Sequence, residues 1–151
     1  RQMCIRDSYY IDGGFSMKKY FNASMAYLIL GLIAGVFYRE FTRMAEFTGQ
    51  TVLKGLHTHI LVLGFLFFII VLLLDKNFGF SKMKGSKAWF ISYNVSMVYF
   101  IATMVARGIA QVRGIEVSGL SHIAGLAHAL FGAALVWFII IGNKMLKEQA
   151  E

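Results

Sequence analysis

Four long apolar segments, each long enough to cross a lipid bilayer, constrain this chain more than any other feature. They cover residues 20–38, 53–74, 89–109 and 120–141, and clusters of charged residues separate them. A membrane-spanning helix needs about 20 mainly apolar residues. These runs are continuous rather than alternating, which favours helices over barrel strands. The sequence therefore predicts an all-α fold, a transmembrane four-helix up-down bundle that contacts the lipid bilayer.

The composition agrees with a membrane protein and argues against a nucleic-acid partner. Hydrophobic residues make up 58% of the chain and charged residues 15%, with a formal net charge of +7. The basic residues flank the apolar segments, so we interpret them as a topology signal and expect no binding to nucleic acid. No G-x-S-x-G, Walker loop or H-E-x-x-H is present. We predict no catalytic residues, and whether the chain is an enzyme stays open.

The first sixteen residues differ from the rest of the chain. Residues 1–16 lack helical or alternating periodicity, whereas an apolar run opens after Met17. The string RQMCIRDS resembles a translated sequencing-adapter remnant, so we expect a non-native or disordered leader followed by one domain over residues 17–151. Cys4 is the only cysteine. A domain without it has no disulfide, thiolate metal site or covalent haem attachment.

Basic residues are distributed unevenly between the two sides of the predicted bundle. Side one, formed by both termini and the second connection, carries eight: Lys18, Lys19, Lys76, Lys82, Lys84, Lys87, Lys144 and Lys147. Side two, formed by the first and third connections, carries five: Arg39, Arg43, Lys54, Arg107 and Arg113. The positive-inside rule favours side one as cytoplasmic. We therefore expect a multi-pass protein of the inner (plasma) membrane with both termini cytoplasmic, and Trp89 as an aromatic anchor at that interface.

All four histidines fall near side two, in one band with charged residues from other segments. The band consists of Arg39, Glu40, His57, His59, Arg107, His122 and His128. Ionisable groups inside a membrane are costly and usually mark function, so all of these except Glu40 are candidate cofactor-binding residues. For Arg39, Glu40, Arg107 and His122, the alternative is an interfacial position near the headgroups. For His59 and His128 it is hydrogen bonding between helices.

Helical spacing limits the chemistry that the histidines can perform. At about 100° per residue, His57 and His59 point about 200° apart and cannot chelate one ion from a regular helix. His122 and His128 are about 120° around the helix and about 9 Å along it from each other. This geometry disfavours a compact zinc or copper site within one subunit.

A large cofactor with two axial positions fits the spacing better. His59 and His128 are expected at similar depths on helices that run the same way, so they are the preferred axial ligands of a haem b. His57 and His122 would be ligands at a second site or supports. Glycines about one turn from the histidines leave room for a flat macrocycle, and Arg39 and Arg107 can pair with propionates. The alternative for the glycines is ordinary helix packing.

Several short segments carry a family resemblance. Residues 38–42 (YREFT), residues 56–59 (LHTH) with Leu63 and Gly64, and residues 126–128 (LAH) resemble an uncharacterised bacterial domain-of-unknown-function family of small four-helix membrane proteins. The resemblance covers Met17 to Lys147 and implies no activity.

The His-x-His of His57 and His59 is also similar, more distantly, to a motif of haem-copper oxidase and nitric oxide reductase catalytic subunits and of NnrS-type proteins. In the oxidases the two histidines face opposite ways and ligate different haem irons. The resemblance implies that a homo-oligomer of four-helix chains rebuilds the larger subunit. An adjacent His-His pair and a His-x-x-x-Tyr are both missing, so oxygen reduction is not expected.

The leading hypothesis is therefore a haem-binding membrane protein in electron transfer, or in sensing or handling of nitric oxide or oxygen. The first alternative is copper or zinc binding or transport, with ligands from several chains or from an unwound start of the second helix. The second is a non-catalytic accessory subunit of a respiratory complex. The expected partners are a second or third copy of the chain (dimer or trimer) or a respiratory-chain protein.

Overall fold

Four long helices make up the part of the chain that the structure describes. The computed structural model describes the backbone of residues 3–150 and the side chains of residues 17–149. The helices are α1 (Met3–Met44), α2 (Leu53–Phe78), α3 (Ser86–Arg113) and α4 (Leu120–Ala150). Each contains one predicted segment and is long and apolar enough to cross a membrane, so the all-α four-helix fold is confirmed. The expected leader at residues 1–16 lies outside the described side chains.

Consecutive helices pack antiparallel, as the short connections predict. In the first half of α1, the Tyr20 ring lies 6.5 Å from the ring of Phe68 in the second half of α2. Near the end of α1, Gly35 faces His57 at the start of α2. The closest packing joins α1 to α2 and α3 to α4, whereas α1 and α4 are not extensively packed on each other. In the described part of the chain, α2 and α3 therefore lie between α1 and α4.

The G-x-x-x-G of α1 serves packing within one chain. A Cβ added at Gly31 would lie 2.7 Å from Cδ2 of Leu61, and one added at Gly35 would lie 3.7 Å from Cβ of His57. Both contacts are with α2. The two glycines therefore allow α1 and α2 to approach closely.

Aromatic rings fill the core towards side one. Trp89 is fully buried, with its ring 5.4 Å from Tyr93 and 5.2 Å from Phe138. Its indole N–H donates to the Ala134 carbonyl of α4 at 2.9 Å. The prediction of an interfacial anchor at Trp89 is wrong, because the ring is enclosed by neighbouring helices and its N–H bonds to protein rather than to a headgroup.

One turn of α2 is wound as a π-helix. Residues Ile60–Leu66 separate the α-helical stretches Leu53–His59 and Phe67–Phe78. The Phe67 amide is shared between the carbonyls of Val62, five residues back, and Gly64, three residues back, whereas an α-helix would bond Phe67 to Leu63. The Leu63 carbonyl is therefore bypassed. The chain contains no proline, so the sequence gives no reason to expect an irregular helix here.

Side chains from neighbouring helices complete the π-helical turn. The Tyr93 hydroxyl of α3 donates to the Leu63 carbonyl at 2.7 Å, and the Ser24 hydroxyl of α1 donates to the Phe65 carbonyl at 3.0 Å. Gly64 lies in the same turn, where an added Cβ would be 2.4 Å from Cγ of Tyr27. In lipid, a bypassed backbone group must be satisfied within the protein. The π-helical turn therefore depends on contacts from α1 and α3.

Candidate cofactor site

The two histidines of α2 contact different neighbouring helices. His57 lies against Gly35 of α1, whereas the imidazole of His59 lies 5.6 Å from the ring of Phe100 in α3. The opposite directions agree with the spacing of two residues on an α-helix. His57 and His59 therefore belong to different environments. The Nδ1 atom of His57 is buried without a hydrogen-bond partner among the described residues.

The rings of His59 and His128 are each fixed by a hydrogen bond between Nδ1 and the backbone carbonyl four residues earlier in the same helix. Nδ1 of His59 lies 2.7 Å from the Gly55 carbonyl oxygen, and Nδ1 of His128 lies 2.7 Å from the Ala124 carbonyl oxygen. A carbonyl oxygen only accepts, so Nδ1 is the donor in each ring. In the neutral imidazole, the lone pair is then on Nε2. A backbone carbonyl that holds one nitrogen in this way is the usual support of a ligating histidine.

Phe100 connects the two imidazoles. Its ring centroid lies 5.6 Å from that of His59, in a tilted arrangement, and 4.7 Å from that of His128, nearly perpendicular at 80°. Phe100 itself is 2% exposed. A single buried ring of α3 thus packs against both imidazoles, although His59 lies in α2 and His128 in α4.

A cavity of about 350 Å³ opens beside the two histidines. His59, His128 and Arg107 line it, together with Met104. Its remaining walls are Val52, Gly55, Thr103 and Ala124. These residues come from the start of α2, the end of α3 and the start of α4. The structure therefore brings together three of the candidate residues, His59, His128 and Arg107, at one cavity near side two.

The other candidates lie away from this cavity. The side chain of Arg39 is 79% exposed, with its Nε 3.8 Å from Glu40. His122 is exposed near the start of α4, and His57 faces α1. None of these three lines the cavity. The predicted band is thus divided into one three-residue site and residues that lie outside it.

Sequence reasoning missed the α3 wall of the cavity. Thr103, Met104 and Arg107 line the cavity, and with Phe100 they follow the three- and four-residue spacing of one helix face. Arg107 is the only ionisable residue of the four and the only one that the sequence identified. The helical spacing around Arg107 was the signal that would have identified the other three.

The glycines near the histidines have different roles. Gly55 lines the cavity, and a Cβ added at Gly125 or Gly132 would meet nothing within 4 Å. These positions leave space beside the histidines. Gly64, in contrast, accommodates Tyr27 and leaves no space for a macrocycle. Gly119 has a φ of +82° before the start of α4, a conformation that favours glycine.

Comparison with known proteins assigns the chain to a family. Residues 17–145 match the family described as "Protein of unknown function (DUF2871)". The chain belongs to this family. The expected membership of an uncharacterised family is thus confirmed. No curated protein and no solved structure matches the chain, so the resemblance to haem-copper oxidase subunits gains no support.

The described side chains of this DUF2871 protein do not gather the usual ligands of a compact zinc centre. Among them, no three histidine, cysteine, aspartate or glutamate residues are close enough to hold one ion. A structural zinc site needs four such ligands and a catalytic one three. The cavity instead offers two imidazoles, one thioether from Met104 and one guanidinium from Arg107. These side chains suit a cofactor that needs only two or three bonds from the protein.

Proposed function

We propose that the cavity at His59 and His128 binds haem b, and that the protein transfers electrons within the membrane. The observation that supports this most directly is the pair of imidazoles on α2 and α4. Each is held through Nδ1, which leaves the lone pair of the neutral ring on Nε2, and both residues line the same cavity. Haem iron accepts axial ligands on both faces of the macrocycle. Histidines on two separate helices can supply both.

The walls of the cavity suit a porphyrin better than a small hydrated cation. Val52, Met104 and Ala124 provide apolar contacts, and Arg107 offers a guanidinium for a propionate. The volume of about 350 Å³ is near the lower end for ligand pockets, about 300–1,000 Å³. A macrocycle would therefore extend beyond the cavity, and Gly132, one turn from His128, leaves space because an added Cβ there would meet nothing within 4 Å.

The use of two histidines favours electron transfer over gas handling. If His59 and His128 occupy both axial positions, no position is open for nitric oxide or oxygen. Carbon monoxide added to the reduced protein would then leave the absorption spectrum unchanged. A carbon monoxide shift in the wild-type protein would instead favour one histidine ligand and a gas-handling role.

The decisive experiment is a reduced-minus-oxidised absorption spectrum of protein purified from haem-replete cells. We expect Soret and alpha bands in the wild type, and their loss in His59→Ala and His128→Ala. His122→Ala is the matched control, because it removes an exposed imidazole of α4 outside the cavity. Folded wild-type protein without these bands contradicts the proposal. So does equal haem content in all three variants.

Copper(I) is a second candidate, favoured by Met104. The thioether of Met104 lines the same cavity as the two imidazoles, and soft thioether and imidazole ligands suit Cu(I). Elemental analysis distinguishes the candidates, because this one requires near-stoichiometric copper without iron. Met104→Leu would lower copper content but leave haem content unchanged. The positive charge of Arg107 at the cavity is less favourable for a cation than for a propionate.

The membrane orientation completes the proposal. With both termini cytoplasmic in the inner membrane, the cavity faces the non-cytoplasmic side. Thiol labelling in intact cells tests this: a cysteine from Ser118→Cys, in a Cys4→Ser background, should react with an impermeant reagent, whereas one from Lys84→Cys should not. The reverse pattern would place the cavity on the cytoplasmic side.

Exposed imidazoles at membrane depth also suggest a partner. His59, His122 and His128 are exposed in the single chain, which is costly against lipid. A dimer or trimer of this chain, or a respiratory-chain protein, would cover them. If the chain is only an accessory subunit, His59→Ala and His128→Ala will lose the assembly on native gels while binding no less cofactor than the wild type.

A further inference from the structure

We infer that Tyr93 is a positioning residue for His59, acting through the π-helical turn of α2. This inference deepens the proposed function, because it concerns how one ligand of the same cavity is oriented. It depends on the hydrogen bonds of the turn and on helix geometry.

Tyr93 supplies a hydrogen bond to a carbonyl that has lost its α-helical partner. Its side chain is fully buried, and its hydroxyl donates to the Leu63 carbonyl that the Phe67 amide bypasses. Without this donor, a carbonyl in the core of a membrane protein would lack a partner, which is costly. Winding the turn as an α-helix would pair Leu63 with Phe67 again. The Tyr93 hydroxyl therefore stabilises the π-helical winding relative to the α-helical one.

The winding of this turn determines the direction of the side chains that precede it in α2. A π-helical turn closes over five residues where an α-helix closes over four, so it contains one residue more. His59 is the last residue before Ile60–Leu66. If the turn were wound as α while Phe67–Phe78 kept its contacts, every residue before it would rotate by about 100°. Ile60 would then point at the cavity in place of His59.

The two ends of α2 are each held by packing against neighbouring helices. Beyond the turn, Phe67 stacks on the Tyr93 ring at 4.8 Å, and Phe68 stacks on Tyr27 at 5.8 Å. Before the turn, Leu53 is fully buried against Gly108. Because both ends are packed, the extra residue has to be absorbed between them. The π-helical turn absorbs it and allows His59 to face Phe100.

Cross-linking tests this without any cofactor. In a Cys4→Ser background, His59→Cys with His128→Cys should be joined by a short bifunctional thiol reagent, because both side chains line one cavity. Adding Tyr93→Phe should remove most of this cross-link. With Tyr93→Phe, Ile60→Cys should instead cross-link to His128→Cys. Tyr27→Phe is the matched control: it removes a buried hydroxyl whose bond goes to Asn94 and should leave the 59–128 cross-link intact.

Deletion of one residue provides an independent test. Val62 lies within the turn and is 47% exposed, and its deletion allows α2 to be α-helical while His59 keeps its direction. Deleting Val62 in the Tyr93→Phe protein should restore the 59–128 cross-link. The inference is overturned if Tyr93→Phe leaves that cross-link undiminished, or if the deletion fails to restore it in protein with wild-type helicity. Correct cross-linking in protein without haem bands would contradict only the haem proposal.

Discussion

Replacing Gly108 by alanine tests how closely α2 and α3 must approach beside the cavity. A Cβ at this position would lie 2.3 Å from Cγ and 2.7 Å from Cδ2 of Leu53, and 3.2 Å from the Leu53 amide nitrogen. The Leu53 side chain is fully buried. Because the contact includes a branched carbon and backbone, rotation of one side chain cannot relieve it. The start of α2 must move away from α3.

The expected loss of stability follows from two opposing effects. Overpacking of a filled core costs typically about 1–3 kcal/mol, whereas glycine to alanine in a helix gains up to about 1 kcal/mol. Subtracting the full gain leaves about 0–2 kcal/mol. Because the added Cβ would lie only 2.3 Å from Leu53 Cγ, we expect the upper half of that range for Gly108→Ala, a net decrease in the free energy of unfolding of about 1–2 kcal/mol. At about 2–4 °C per kcal/mol for a chain of this size, the unfolding midpoint falls by about 2–8 °C.

Thermal unfolding in detergent, followed by circular dichroism, measures this decrease. Gly125→Ala is the control, because its added Cβ meets nothing within 4 Å, and its midpoint should stay the same or rise. Leu53→Ala alone should cost about 2–5 kcal/mol. Combined with Gly108→Ala it should cost less than the sum, because the new methyl group enters the vacated space. Equal midpoints for Gly108→Ala and Gly125→Ala, or strict additivity with Leu53→Ala, would refute the close contact.

Three further substitutions test other contacts. Arg107→Gln should lower haem retention on dilution but leave thermal stability unchanged, since it removes a charge that lines the cavity and no packing; unchanged retention would exclude a propionate contact. Trp89→Phe should lower stability by about 1 kcal/mol, because the bond to Ala134 is lost; an unchanged unfolding midpoint would contradict this. Asp75→Ala should cost about 1.5–3 kcal/mol, because the carboxylate accepts the Ser81 amide at 2.6 Å, and Asp75→Asn should recover part of that loss.

The four helices could be predicted from the sequence because span length is fixed by bilayer thickness. Continuous apolar runs leave few alternatives to membrane-crossing helices, and each predicted segment lies inside a helix of the structure. The burial of Trp89 could not be predicted in this way. Whether an aromatic residue near a helix end faces headgroups or a neighbouring helix depends on rotations that hydropathy does not specify.

The candidate site was predictable only in part. The proximity of His59 and His128 follows from equal depth on two parallel helices, and the structure places both at one cavity. The π-helical turn has no comparable signal, since its donors, Tyr93 and Ser24, come from α3 and α1. The roles of the glycines were equally hidden. Gly64 and Gly125 look alike in sequence, but one contacts Tyr27 and the other meets open space.

The separation of His57 from His59 links the fold to the proposed chemistry. His57 contacts α1 through Gly35, so its environment is set where α1 and α2 pack together. His59 is oriented by its bond to Gly55, by Phe100 and, through the π-helical turn, by Tyr93. His128 depends on the same Phe100 ring. Since α3 supplies both Phe100 and Tyr93, the direction of both candidate ligands depends on a helix that contributes no histidine. Substitutions in α3 should therefore alter cofactor binding without removing either histidine.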